Sequence, residues 1–206
     1  MKLLHLDTSI LGTPSVTREL SAMIVERIVK SDPTTQVTYR DLAADALPHF
    51  SVTTVPSAHF LAGPEAPSDD DGKRSRAQSD QVLQDFLDAD TIVIGVPMYN
   101  WNIPSQLKAW FDRIVIPGTT FAPTKDGPVA LAPNKRVIAA IARGGFYGKD
   151  SAMFSAEHAE SYIRIVFNFL GCKDIEFVLA EGLSQGEASK AEAIKSAHEA
   201  VLQFAA

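Results

Sequence analysis

The chain has 206 residues, 46% hydrophobic and 21% charged, with 19 basic against 25 acidic side chains and a formal net charge of −6. That length suits one domain whose core needs no staples, and the apolar content excludes intrinsic disorder. The single cysteine excludes an intramolecular disulfide and a cysteine-based zinc site. The acidic balance argues against nucleic acid or an anionic membrane surface as partner. The apolar start is broken at His5 and Asp7, too soon for a signal-peptide core, and no run of about 18 apolar residues exists to span a bilayer. A cytoplasmic chain is therefore expected.

Short apolar runs alternate with longer amphipathic ones. Residues 2–6 read as a first strand. Residues 15–29 follow as a helix, with Leu20, Met23, Ile24 and Ile28 at helical spacing. Residues 36–39 form the second strand. Residues 41–80 are a long excursion, holding Pro48, Pro56, Pro64, Pro67 and the acidic run Asp69-Asp70-Asp71, that leads into a helix from about Arg74 to Asp88. A connection of that length is a functional flap, an interface element or a disordered stretch. The third strand, residues 91–97, and the fourth, residues 136–142, are almost wholly apolar, as parallel strands covered on both faces are. Between them residues 105–115 read as a helix behind Pro104, with Trp110 and Phe111 at core or interface spacing. A helix at 156–170, a fifth strand at 174–179 and a helix at 187–204 close the chain. Alternating strand and helix over a single domain, residues 1–206, predicts a flavodoxin-like, doubly wound α/β fold. Its five-stranded parallel sheet would run in the order 2-1-3-4-5, with helices on both faces.

In such a sheet ligands sit beyond the carboxyl ends of the strands where the order reverses. Three turns meet there. The first, from Asp7 to Thr17, is dense in hydroxyls: Thr8, Ser9, Thr13, Ser15 and Thr17. It opens a helix whose unpaired N–H groups and dipole suit a phosphate monoester without any lysine. Equally, Ser15 can be a plain N-cap. The second turn, Pro97-Met98-Tyr99-Asn100-Trp101-Asn102-Ile103-Pro104, delivers two large aromatics and two asparagines between stiffening prolines. It can lay a flat heterocycle on an apolar wall while backbone N–H groups bond its edge. The third, Ala142-Arg143-Gly144-Gly145-Phe146-Tyr147-Gly148, pairs aromatics with glycines that let backbone approach a ligand; alone it is an ordinary turn.

Other motifs fail. No G-x-G-x-x-G is present, and in Gly144–Asp150 the glycine spacing of a P-loop is wrong, with Asp150 where a Ser or Thr would hold magnesium. The five histidines are scattered, without metal-ligand spacing. His5, inside a strand, reads as a satisfied core histidine, and Cys172 as a packing residue.

The run from Pro97 to Asp112 resembles the signature of the FMN-dependent NADH-azoreductases, a flavodoxin-like family related to the NAD(P)H:quinone reductases. Ser9, Ser15-Val16-Thr17, Asp41-Leu42-Ala43-Ala44, Thr120-Phe121, Asp126-Gly127-Pro128, Arg143-Gly144-Gly145 and Ala180-Glu181-Gly182 follow in the same order. The resemblance implies one FMN per subunit, NADH or NADPH as electron donor, and quinones and aromatic azo compounds as small-molecule acceptors. It also implies a homodimer with sites at the subunit interface. By matching position, Ser9, Ser15, Val16 and Thr17 would hold the FMN phosphate. Met98, Tyr99, Asn100 and Trp101 would line the isoalloxazine, and Ala142, Arg143, Gly144 and Gly145 would contact its far edge. Trp101 stands where relatives often have Phe, and Ala142 where they often have Ser. No side chain is expected as general acid, since water can protonate the product; Tyr99 and Tyr147 are the candidate donors. The alternatives are a flavodoxin-type FMN electron carrier without NADH-dehydrogenase activity and a flavin-free α/β binding protein.

Overall fold

The structure, a computed structural model, describes residues 1–63, 67 and 69–203. Pro64 and the Phe204 end of the last helix lie outside them. The strands are β1 (Lys2–Asp7), β2 (Gln36–Asp41), β3 (Thr91–Pro97), β4 (Phe121–Ala122), β5 (Val129–Ala130), β6 (Arg136–Ala142) and β7 (Asp174–Ala180). The helices are α1 (Val16–Ser31), α2 (Asp70–Asp88), α3 (Ser105–Ile114), α4 (Ala159–Phe169) and α5 (Glu187–Gln203). β2-β1-β3-β6-β7 form one five-stranded sheet, parallel throughout. Counted along that sheet, this is the expected 2-1-3-4-5 order. β4 and β5 pair as a separate antiparallel hairpin that the sequence reading did not foresee; two residues per strand are too few to show a period.

Alternate residues of each central strand enter different cores. Leu4 and Leu6 of β1, Ile92, Ile94 and Val96 of β3, and Val137, Ala139 and Ile141 of β6 pack with α2, α3 and α4. Leu3, Val93, Ile138 and Ala140 pack with α1 and α5. β3 is buried along its whole length. The first core includes Trp110 and Phe111, both buried, Trp110 edge-on to Phe86. Cys172 lies in the same core, where burial pushes its thiol up to about 11.

The excursion departs from expectation at its end. α2 starts at Asp70, about four residues before the expected Arg74, because the acidic run serves as cap and first turn. Asp69 accepts from the Gly72 N–H at 2.7 Å, with Asp70 and Asp71 at the positive helix end. Upstream, residues 42–63 are strapped onto α2 and α3 by side chains of those helices. Arg113 donates to the Pro48 carbonyl and to Ser79 Oγ, each at 2.8 Å. Ser79 Oγ donates to the Thr54 carbonyl, and Asp80 accepts from both the backbone N–H and the hydroxyl of Ser57. Among the described residues no helix is long and apolar enough to cross a membrane.

Candidate functional site

Register brings the three turns together. Asp7, the last residue of β1, lies opposite Gly95 of β3, and Pro97 at the end of β3 lies opposite Ala142 at the end of β6. The turns therefore leave three neighbouring strands, two inter-strand spacings or about 10 Å from first to third. Hydrogen bonds fasten each turn to the next. Thr8 Oγ1 donates to the Gly95 carbonyl at 2.7 Å, and Ser9 Oγ lies 3.4 Å from the Tyr99 hydroxyl. The Ile10 N–H donates to that same hydroxyl, and the Met98 N–H donates to the Ala142 carbonyl at 2.8 Å.

In the first turn the chain reverses at Gly12 (φ 62°) and enters α1 through Ser15. Ser15 is an N-cap, its Oγ accepting from the Arg18 N–H at 3.4 Å. The same Oγ lies 3.0 Å from Thr17 Oγ1, so the two hydroxyls share one hydrogen and leave the other to donate. Val16 and Thr17, as first-turn residues, have N–H groups without intrahelical acceptors. The nearest cation is already engaged. Arg18 grips Asp41 at 2.6 and 2.8 Å and donates to the Ser9 carbonyl from Nη2 at 2.8 Å. That ion pair holds the Asp41 carboxyl below the usual carboxylate range. Beneath it Asp7 accepts from Ser21 Oγ and from Tyr39, whose phenol is pushed up to about 12 chiefly by burial and then by the Asp7 charge. His5 Nε2 lies 3.0 Å from Ser21 Oγ, a satisfied buried histidine.

The second turn is a two-residue reversal. Tyr99 and Asn102 exchange both backbone hydrogen bonds, at 2.9 and 3.1 Å, across Asn100 (φ 47°) and Trp101 (φ 68°). Positive φ at both central residues defines a type I′ turn. Asparagine tolerates that region; tryptophan there is strained. The Trp101 carbonyl is held by the His158 N–H at 3.0 Å, and its side chain is half exposed.

The third turn is held by its backbone and by one arginine. The Arg143 N–H donates to the Ala180 carbonyl, and the Arg143, Gly144 and Gly145 carbonyls accept from Leu183, Ser184 and Gly182. A Cβ at Gly144 would come within 2.9 Å of Ser184 Oγ, so the exposed Ser184 hydroxyl would have to turn away. The Arg143 side chain is 2% exposed and bonded to Glu157, Glu160 and Glu181. Its guanidinium is thus committed to carboxylates, leaving Arg143 to present only backbone.

A cavity of about 630 Å³ lies between the first and second turns, lined by Ile10, Met98, Tyr99, Asn100 and Ile103 to Gln106. Its lining includes three of the twelve predicted site residues. It does not include Ser9, Ser15, Val16, Thr17 or Trp101, nor Ala142 to Gly145 in the third turn. Ile10 and the stretch from Ile103 to Gln106 are lining residues that the sequence reading passed over, although they adjoin quoted motifs. Thr8, Arg18 and Asp41, which fix the first turn, were also missed in that role; a fixed separation along the chain gives no sign of such long-range pairing.

The donor chemistry fits a mononucleotide flavin. One end holds the Ser9, Ser15 and Thr17 hydroxyls, all buried at 1–3% exposure, beside a helix N-terminus, a setting for a dianion that needs no free cation. The other offers an aromatic wall with amide edges. Among the described residues, the N–H groups of Asn100, Trp101, Gly144 and Gly145 have no acceptor in the protein.

These features define a class: flavodoxin-like proteins with a phosphate-accepting first turn and an aromatic second one. The chain matches the family described as having a flavodoxin-like fold over residues 1–205. It is 57% identical over 206 residues to the FMN-dependent NADH:quinone oxidoreductase of Methylobacterium radiotolerans, covering all of both chains. It is 46% identical to FMN-dependent NADH:quinone oxidoreductase 2 of Bradyrhizobium diazoefficiens, again over the whole of both. The solved structure of an FMN-dependent NADH-azoreductase from Bacillus anthracis in complex with FMN superposes with a TM-score of 0.83 at 27% identity. That match covers 98% of this chain and 99% of the other. The chain belongs to the FMN-dependent NADH-azoreductase family of flavodoxin-like proteins.

Proposed function

We propose that this protein is an FMN-dependent oxidoreductase that takes electrons from NADH or NADPH and delivers them to quinones and aromatic azo compounds. Donor and acceptor use one pocket in turn. The observation that carries the reading is the fastening of three turns from adjacent parallel strand ends, with an anion cradle at one side and an aromatic, amide-edged wall at the other. Bound FMN would supply the two-electron relay between the substrates.

The chain's own residues bind and orient. Ser9, Ser15 and Thr17 hydroxyls, with the Val16 and Thr17 N–H groups, take the phosphate. Met98, Tyr99, Asn100 and Trp101 bound the ring system, and the backbone from Ala142 to Gly145 closes its far edge. The N–H groups of Asn100, Trp101, Gly144 and Gly145, which have no acceptor among the described residues, would stabilise negative charge on the heterocycle. Full-length relatives named as NADH:quinone oxidoreductases support the activity.

Residues 1–206 are read as one cytoplasmic domain, and the two-core packing supports a doubly wound sheet. A homodimer is proposed from the apolar side chains that surround a cavity of about 310 Å³ on the α4 face, among them Phe50, Tyr162, Ile165 and Phe169.

The test is an absorbance spectrum of the purified protein with an NADH-oxidation assay on the same sample, using menadione and methyl red. A flavin spectrum with turnover of both acceptors is expected. A yellow protein that oxidises no NADH would be an electron carrier instead, and a colourless one that ignores added FMN would be a flavin-free binding protein.

A further inference from the structure

The carboxylate cluster around Arg143 joins the two ring-side turns through one helix end. Arg143 Nη1 donates to Glu181 Oε1 at 2.9 Å, and Nη2 donates to Glu160 Oε2 at 3.0 Å and Glu157 Oε1 at 3.2 Å. Its Nε is buried with no acceptor, so every bond runs through the two terminal nitrogens. Glu157, one residue before the N-cap His158, satisfies the start of α4: its carboxylate accepts from the N–H groups of Ala159 (2.9 Å), Glu160 (2.7 Å) and Ser161 (3.1 Å). The next residue, His158, donates its backbone N–H to the Trp101 carbonyl in the strained second turn. Glu181 in turn accepts from the Tyr147 N–H, tying down the far side of the third turn.

From this geometry we infer that Arg143 and Glu157 are positioning residues that brace the second and third turns against a common anchor, the amino end of α4. They set the separation between the Asn100–Trp101 backbone and the Gly144–Gly145 backbone. The inference rests on the FMN reading and deepens it. Arg143, matched by position to the flavin's far edge, acts there through its side chain's hold on Glu157, Glu160 and Glu181. A brace at this place governs the ring end of the ligand and leaves the phosphate cradle on α1 untouched.

The two ends are separable with two ligands, FMN and riboflavin, which share the ring and differ in the phosphate. Glu157→Gln keeps the shape of the side chain and an oxygen for the helix N–H groups, but removes the charge that Arg143 holds. Titration of the full-length apoprotein should show FMN and riboflavin both weakened by the same factor, roughly tenfold. The visible circular dichroism of the bound flavin should also change. Thr17→Ala should weaken FMN and leave riboflavin as it was. Arg143→Lys, which keeps a charge but loses the fork that reaches three carboxylates, gives the same comparison should Glu157→Gln not fold.

Unchanged flavin affinity and unchanged visible dichroism in the variant, even with a lowered melting temperature, would reduce the cluster to a structural role and overturn the inference. A loss confined to FMN would place its effect at the phosphate end and overturn it as well. Wild-type protein that binds neither flavin would refute the FMN reading itself, a result visible before any variant is made.

Discussion

Among the described non-glycine residues with positive φ, Asn100, Trp101 and Asn134, only Trp101 is bulky. A left-handed backbone costs a bulky L-residue about 1–2 kcal/mol, and here φ is 68° at a side chain 51% exposed, so little burial offsets the strain. Strain at a ligand-facing turn persists when the surroundings over-determine it; the mutual Tyr99–Asn102 bonds and the His158 N–H do so. Trp101→Gly should therefore raise stability by about 1 kcal/mol, seen as a higher denaturation midpoint. The same variant should lose turnover with aromatic acceptors, because the flat wall is gone. A variant that is less stable would mean that the indole contributes packing the exposed ring does not indicate. The aromatic pair was legible in the sequence because it stands between two prolines. The turn type was not, since only the neighbouring asparagine has a residue preference for that backbone.

At the scale of elements, a close approach between β3, β1 and α1 fixes where the phosphate cradle stands. Gly95 sits in a wholly buried strand, and a Cβ there would lie 2.8 Å from Asp7 Oδ1 and 2.9 Å from the Thr17 carbonyl. The second contact is backbone, so α1 itself would have to move. Gly95→Ala should cost about 1–3 kcal/mol by overpacking, read as a lower urea midpoint with an unchanged slope. It should also weaken FMN while sparing riboflavin, because the displaced element is the one bearing Ser15, Val16 and Thr17. Equal weakening of both flavins would put the shift in the second turn instead. A glycine inside an apolar run signals close approach, but the pattern cannot say what approaches. The strands themselves were readable because parallel, doubly covered strands are continuous in hydrophobicity. Helix ends were less so: the cap at Asp69 is an ordinary N-cap signal hidden in an acidic triplet, and the Arg113, Ser79 and Asp80 straps over the excursion pair residues 23 to 65 positions apart.

The whole molecule has more surface than its size requires. A monomer of 22.3 kDa is expected to expose about 9,400 Å², against 10538 Å² here. The excess, about 1,100 Å², is larger than the about 800 Å² that one partner loses in a standard interface. Apolar side chains account for part of it: Phe60 is 72% exposed, Ile165 67% and Val52 65%, with Phe60 stacked on His59 beside the cavity that Ile165 lines. A two-fold interface presents each residue twice, so one charge there is counted twice. On the proposed homodimer, Ile165→Glu should turn sedimentation as two chains into sedimentation as a single folded chain, with the far-ultraviolet dichroism intact. On the proposal that the sites lie at that interface, turnover should fall with the dimer and return at high protein concentration. Wild-type protein that sediments as one chain while fully active would remove the dimer from the reading and leave the excess apolar surface to some other partner.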